Sequence, residues 1–144
     1  MKKIYFDNAA TTKIDPSVLT TINNVMKENY GNPSSSHSFG RASRTIVEKA
    51  RKSIAQEFCV SSSEIFFTSG GTEADNMALL TSVTDLGIKR IITSKIEHHA
   101  VGHTAEHMFK QYNIQIEYVD LCKKGNVDLN HLKSLLSRSV PTLV

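Results

Sequence analysis

Three stretches put chemically capable side chains beside a chain reversal. The first is Thr68-Ser69-Gly70-Gly71-Thr72-Glu73-Ala74-Asp75-Asn76, where two glycines sit between an aromatic run and a good helix start. Glycine lets backbone approach a ligand closely, and the unpaired N–H groups of a first helical turn favour an anion. Thr72 adds a hydroxyl donor. A phosphate in such a turn is physically sensible. The pattern is neither GxxxxGK[ST] nor GxGxxG, so P-loop and dinucleotide chemistry are not indicated. Simple capping, with Thr72 as N-cap and Glu73 and Asp75 complementing the helix dipole, accounts for the same residues.

The second stretch is Glu97-His98-His99, where a strand-like RIITS gives way to a helix-like segment. An imidazole there can stack on a planar ligand or move protons near neutral pH. His99, His103 and His107 recur at four-residue steps, and histidines so spaced can share a metal. No HExxH order, carboxylate or cysteine accompanies them, so no metal ligand is expected and the three read as a half-exposed helix face. The third stretch, Asn32-Pro33-Ser34-Ser35-Ser36-His37, reads alone as a polar surface loop. Its serines and histidine do not make a hydrolase, because GxSxG is absent from the chain.

These groups need elements to hold them. Asp15-Pro16 opens a helix whose apolar face is Val18, Ile22, Val25 and Met26, with Gly31 closing it. A long helix spans about 41–58, with Ala42, Ile46, Ala50, Ile54 and Phe58 at four-residue steps. Residues 3–6, EIFFTS (64–69), RIITS (90–94) and IQIEYVDL (114–121) read as short strands. Helices over 72–85, 99–111 and 129–138 fall between or after them, the last capped by Asp128, and the closing VPTLV reads as a strand start. Strands alternating with helices predict an α/β fold with a mainly parallel sheet and flanking helices. Residues 1–60 then form an arm with helices, and 61–144 the first part of an α/β domain whose sheet is incomplete.

The chain has 144 residues, enough for one domain, with 40% hydrophobic and 22% charged residues. Seventeen scattered basic residues and a formal net charge of +3 do not form a nucleic-acid footprint. No apolar run suits a signal peptide or a membrane span, so the cytoplasm is the expected compartment. Cys59 and Cys122 are far apart and suggest neither a disulfide framework nor a zinc site.

Four segments in register, IYFDNAATTKIDPSV, YGNPSSSHSFGRASR, EIFFTSGGTEADNMAL and ITSKIEHHAV, make the chain resemble the N-terminal part of the NifS/IscS-like cysteine desulfurases. These are pyridoxal-phosphate enzymes of the class-V aminotransferase group. The resemblance implies a fold-type-I transferase. Gly71 and Thr72 would hold the cofactor phosphate, and His98 would lie on the pyridine ring and take part in proton transfer. His99 carries no role over, and the Asn32-Pro33 loop borders the active-site region. It further implies conversion of L-cysteine to L-alanine with sulfur left as an enzyme persulfide, a homodimer, and sulfur-acceptor or scaffold partners in iron–sulfur cluster assembly.

The same resemblance implies that the Schiff-base lysine, the Asp facing the pyridine nitrogen, the substrate-binding arginine and the persulfide cysteine fall beyond residue 144. The chain is then expected to be truncated and inactive alone. Two alternatives stay open. One is another class-V enzyme, such as a selenocysteine lyase or kynureninase-like protein. The other is a non-catalytic product acting in dimerisation or regulation.

Overall fold

Asp15 starts the first helix as expected. Its carboxylate accepts from the Ser17 N–H at 2.8 Å and the Ser17 hydroxyl at 2.6 Å, with Pro16 in the first turn. The Ser17 hydroxyl, then its N–H, holds the Asp15 carboxyl below its ordinary pKa. A computed structural model describes residues 3–144, which divide into two compact units, one ending at Phe66 and one beginning at Phe67.

The first unit holds α1 (Pro16–Glu28), α2 (Ser38–Glu57) and a 3-10 turn at Ser62–Glu64. Helix α1 stops before Gly31, at the cap Asn29. Gly31 serves another purpose: a β-carbon there would fall 2.5 Å from the Phe39 carbonyl. Gly40 is as tightly held, since a β-carbon would fall 2.5 Å from the Ser35 carbonyl oxygen. The 31–40 loop therefore folds back onto the start of α2. Helix α2 begins earlier than the expected 41 because His37 caps it, its Nδ1 accepting from the Gly40 N–H at 3.3 Å. Arg44 Nε donates to the Pro33 carbonyl at 2.7 Å, and Ser43 Oγ to that of Asn29 at 3.2 Å.

Residues 3–6 lie outside any strand, contrary to the sequence expectation. Their β-branched and aromatic content gains nothing without a partner strand, and Ile4 and Phe6 stay exposed.

The second unit contains α3 (Gly71–Thr84), β1 (Arg90–Thr93), α4 (His99–Tyr112), β2 (Gln115–Tyr118), α5 (Leu129–Leu136) and β3 (Thr142–Leu143). The three strands are parallel, in the order β2-β1-β3. Ile91 pairs with Ile116 on one side and Leu143 on the other, giving one apolar row across the sheet. That row packs with Leu79 and Val83 of α3, Ala105 and Met108 of α4, and Ile114. Alternation sends Arg90 and Ile92 to the opposite face.

Arg90 is fully buried. It donates to Thr142 Oγ1 at 2.9 Å and the Leu135 carbonyl at 3.1 Å, and lies 3.6 Å from a Glu117 carboxylate oxygen. One guanidinium thus ties β1 to both neighbouring strands and to α5.

Two strand boundaries differ from expectation. EIFFTS is not a strand: its first residue ends the 3-10 turn, and residues 65–68 belong to no strand. Phe66 and Phe67 are accordingly exposed. The 114–121 segment keeps only its middle as β2, and Leu121 instead forms an antiparallel bridge with Val127. Among the described residues, no helix is long and apolar enough to cross a membrane.

Candidate functional site

The glycine turn opens helix α3, but Thr72 does not cap it. Gly70 is the N-cap, without a side-chain cap bond, which makes Gly71 and Thr72 the first two helical residues. The first intrahelical bond runs from the Ala74 N–H to the Gly70 carbonyl, at 3.2 Å. The N–H groups of Gly71, Thr72 and Glu73 therefore have no acceptor within the helix. Gly70, Gly71, Thr72 and Glu73 are exposed, and a β-carbon on either glycine would meet nothing within 4 Å. The Thr72 hydroxyl makes no hydrogen bond among the described residues.

Glu73 is the acidic group nearest this donor set in sequence, and it is turned back. One carboxylate oxygen accepts from the Ser69 hydroxyl at 2.6 Å and from the Ser69 N–H at 2.7 Å. The Ser69 hydroxyl, then its N–H, holds the Glu73 carboxyl below its ordinary pKa. This clasp fixes the approach to α3 and leaves the first-turn donors aimed outward. In the sequence Glu73 reads only as a dipole partner: its clasp reaches back four residues to Ser69, one more than the spacing of a capping box, so that pattern does not announce it.

His98 sits at the matching place on α4. It is the N-cap, with Nδ1 accepting from the Ala100 N–H at 3.1 Å. That bond occupies Nδ1 and leaves Nε2 and the exposed ring for other work. Its capping role was not legible, since histidine is not among the favoured cap residues. No hydrogen bond or ring contact joins His98 to Gly71 or Thr72; α3 and α4 instead pack beside each other, with Thr104 donating to Asn76. Where the carboxyl end of β1 meets the two helices, a cleft of about 380 Å³ opens. Asp75, Ser94 and Glu97 form its polar edge, and Leu79, Ile91 and Val119 contribute to its apolar wall. Ligands of parallel α/β sheets gather at that edge.

The family model for class-V aminotransferases matches residues 4–144. The chain belongs to the class-V aminotransferase family. A putative cysteine desulfurase, IscS 1, of Bacillus subtilis strain 168 is 46% identical over 139 residues, which are 94% of this chain and 36% of the relative. The solved structure of a NifS-like protein superposes with a TM-score of 0.82 at 38% identity, covering 93% of this chain and 37% of that one. A second, titled "SspA in complex with cysteine", gives a TM-score of 0.80 at 25% identity over 96% of this chain and 40% of that one. The chain thus spans little more than a third of the curated relatives it matches.

As a class-V aminotransferase segment, the chain has the α/β build with a parallel sheet and flanking helices that its sequence predicts. Asn32 and Pro33 belong to the first unit, where Asn32 Oδ1 accepts from the Ser34 N–H at 2.9 Å. His37 is engaged as a cap. Cys59 follows α2 with a φ of 54° and is exposed, as is Cys122. Among the described residues, no group of three His, Cys, Asp or Glu side chains is placed to hold a metal.

Proposed function

We propose that this chain is the N-terminal portion of a pyridoxal-phosphate-dependent cysteine desulfurase that converts L-cysteine to L-alanine and leaves the sulfur as an enzyme persulfide. One observation carries the reading. The first turn of α3 offers the Gly71, Thr72 and Glu73 N–H groups and the Thr72 hydroxyl to solvent, with the Glu73 carboxylate drawn away to Ser69. Several convergent donors at a positive helix end suit a phosphate dianion, so these residues fit the cofactor. The cysteine desulfurase names among the relatives and the neighbour bound to cysteine support the substrate.

When bound, pyridoxal phosphate supplies the electron sink for chemistry at the substrate Cα. The chain's own residues have separate tasks. Gly71 and Thr72 bind the phosphate, and Ser69 with Glu73 keeps their turn in place. His98 is oriented through Nδ1 by the Ala100 N–H; by resemblance its ring would stack on the cofactor, and Nε2, left free by the cap, would be the atom that holds or passes a proton. By resemblance, the Schiff-base lysine and persulfide cysteine belong to sequence outside these 144 residues, so this segment alone holds cofactor without turning it over. The full protein works in the cytoplasm as a homodimer, passing sulfur to acceptor or scaffold proteins.

Equilibrium dialysis with pyridoxamine 5′-phosphate, which forms no Schiff base with surface lysines, tests the cup. The chain should retain it and release pyridoxamine, and inorganic phosphate should displace it. Equal retention of pyridoxamine and its phosphate would overturn the assignment.

A further inference from the structure

The solvent face of α4 carries a second constellation that the cofactor site does not use. His99 and His103 are both exposed, their ring centroids 5.0 Å apart and their planes inclined at 32°. Neither imidazole takes part in a hydrogen bond or ion pair among the described residues. His98 is different, because Nδ1 is held by the Ala100 N–H. His107 continues the four-residue series but makes no ring contact with His103. The structure therefore separates the three-histidine series into one close pair and one remote member.

We propose that His99 and His103 chelate a divalent transition-metal cation of the class that prefers imidazole, such as nickel, copper or zinc. With metal–nitrogen bonds of about 2.0–2.1 Å, two imidazoles at a tetrahedral angle place their ring centroids roughly 5 Å apart. The observed centroid separation of 5.0 Å matches that of a chelated pair, and rotation about the side-chain bonds brings one nitrogen of each ring onto the ion. Waters complete the shell. The absence of a third protein ligand, which led the sequence to predict no metal, does not remove a bidentate site.

The surroundings suit a cation. A groove of about 400 Å³ beside the pair is lined by Glu97, Glu106, Lys95 and Tyr118 among others. Two carboxylates against one ammonium leave the local field negative. Lys95 lies 5.9 Å from the Tyr118 ring centroid, over its face. Helix α4 is held by buried Ala100, Ala105 and Met108, so the one-turn spacing of the pair is fixed before metal arrives. Such preorganisation lowers the cost of ordering the ligands.

The test is calorimetric titration of the tag-free chain, cysteines alkylated and no cofactor present, with nickel chloride. One ion per chain should bind. The second imidazole is delivered intramolecularly, and linkage of this kind gains about 10²–10⁴ in affinity. His99→Gln and His103→Gln should each weaken binding by roughly 100-fold or more, and His107→Gln should leave it unchanged. Magnesium should not compete, because it prefers oxygen ligands. Wild-type affinity in either His99→Gln or His103→Gln overturns the pair. So does an equal loss in His107→Gln, or displacement of nickel by magnesium, which would make the site a carboxylate cluster. All three histidines are exposed, and circular dichroism of each variant separates lost binding from lost fold. The readout needs no cofactor and stands or falls apart from the desulfurase reading.

Discussion

His98 has two separable duties, and two substitutions tell them apart. As N-cap of α4 it satisfies the Ala100 N–H through Nδ1, and as an exposed imidazole it offers a ring and Nε2. Replacing an N-cap residue by alanine costs about 0.5–2 kcal/mol, whereas asparagine is among the best caps. His98→Ala should therefore lower the melting temperature by a few degrees, about 2–8 °C per kcal/mol for domains near this size. His98→Asn should melt like the parent. Activity should not follow stability. Loss of a positioned acid–base group costs about 10²–10⁴ in rate, and asparagine restores neither ring nor proton. In a full-length enzyme carrying this segment, alanine formation from L-cysteine should collapse in both variants. His99→Ala should remain close to wild type. The paired assay is thermal unfolding by circular dichroism with alanine production. An active His98→Asn enzyme would reduce His98 to a cap, and a His98→Ala protein with parental melting would remove the capping argument.

Four further outcomes follow from the same geometry. Thr72→Ala removes one charge-assisted donor, worth about 1.5–3 kcal/mol, and should weaken pyridoxamine-phosphate retention about 10- to 100-fold in dialysis. Because Ser69 lowers the Glu73 pKa, the clasp contributes above the ordinary glutamate range and is lost as pH falls through the lowered value. The Ser69 amide resonance should accordingly titrate below the ordinary glutamate range in the parent and stay flat in Glu73→Gln; a flat parental curve would remove the clasp. The 144-residue chain with added pyridoxal phosphate should make no alanine or sulfide from L-cysteine above the free-cofactor rate, a reading that any excess turnover would sink. With Phe6, Phe66 and Val144 all exposed, the chain should also self-associate, and sedimentation as a monomer with one sharp melting transition would count against that.

Local signals made the helices readable. Asp15 and Asp128 cap where their side chains can accept first-turn N–H groups, and RIITS became a buried strand because Ile91 and Ile92 each found a face to fill. Strand content failed where pairing was needed. The sequence of 64–69 has the composition of a strand, yet a strand is defined by a neighbour, and composition does not supply one. The site was legible as residue types at helix starts. What was hidden lay in side-chain direction: Glu73 turning back to Ser69, His98 spending one nitrogen on a cap, and His107 standing apart from the other two histidines of its series.

Arg90 also sets a timetable. Its partners Thr142 and Leu135 lie 52 and 45 residues downstream. At about 5–20 residues per second, ribosomal synthesis takes roughly 3–10 s to cover the longer distance. Burying a guanidinium before its partners arrive costs several kcal/mol, so β1 has to wait in water for β3. Through that interval the apolar row at Ile91 stays open to other chains, so the nascent second unit is exposed to misassociation until β3 is made.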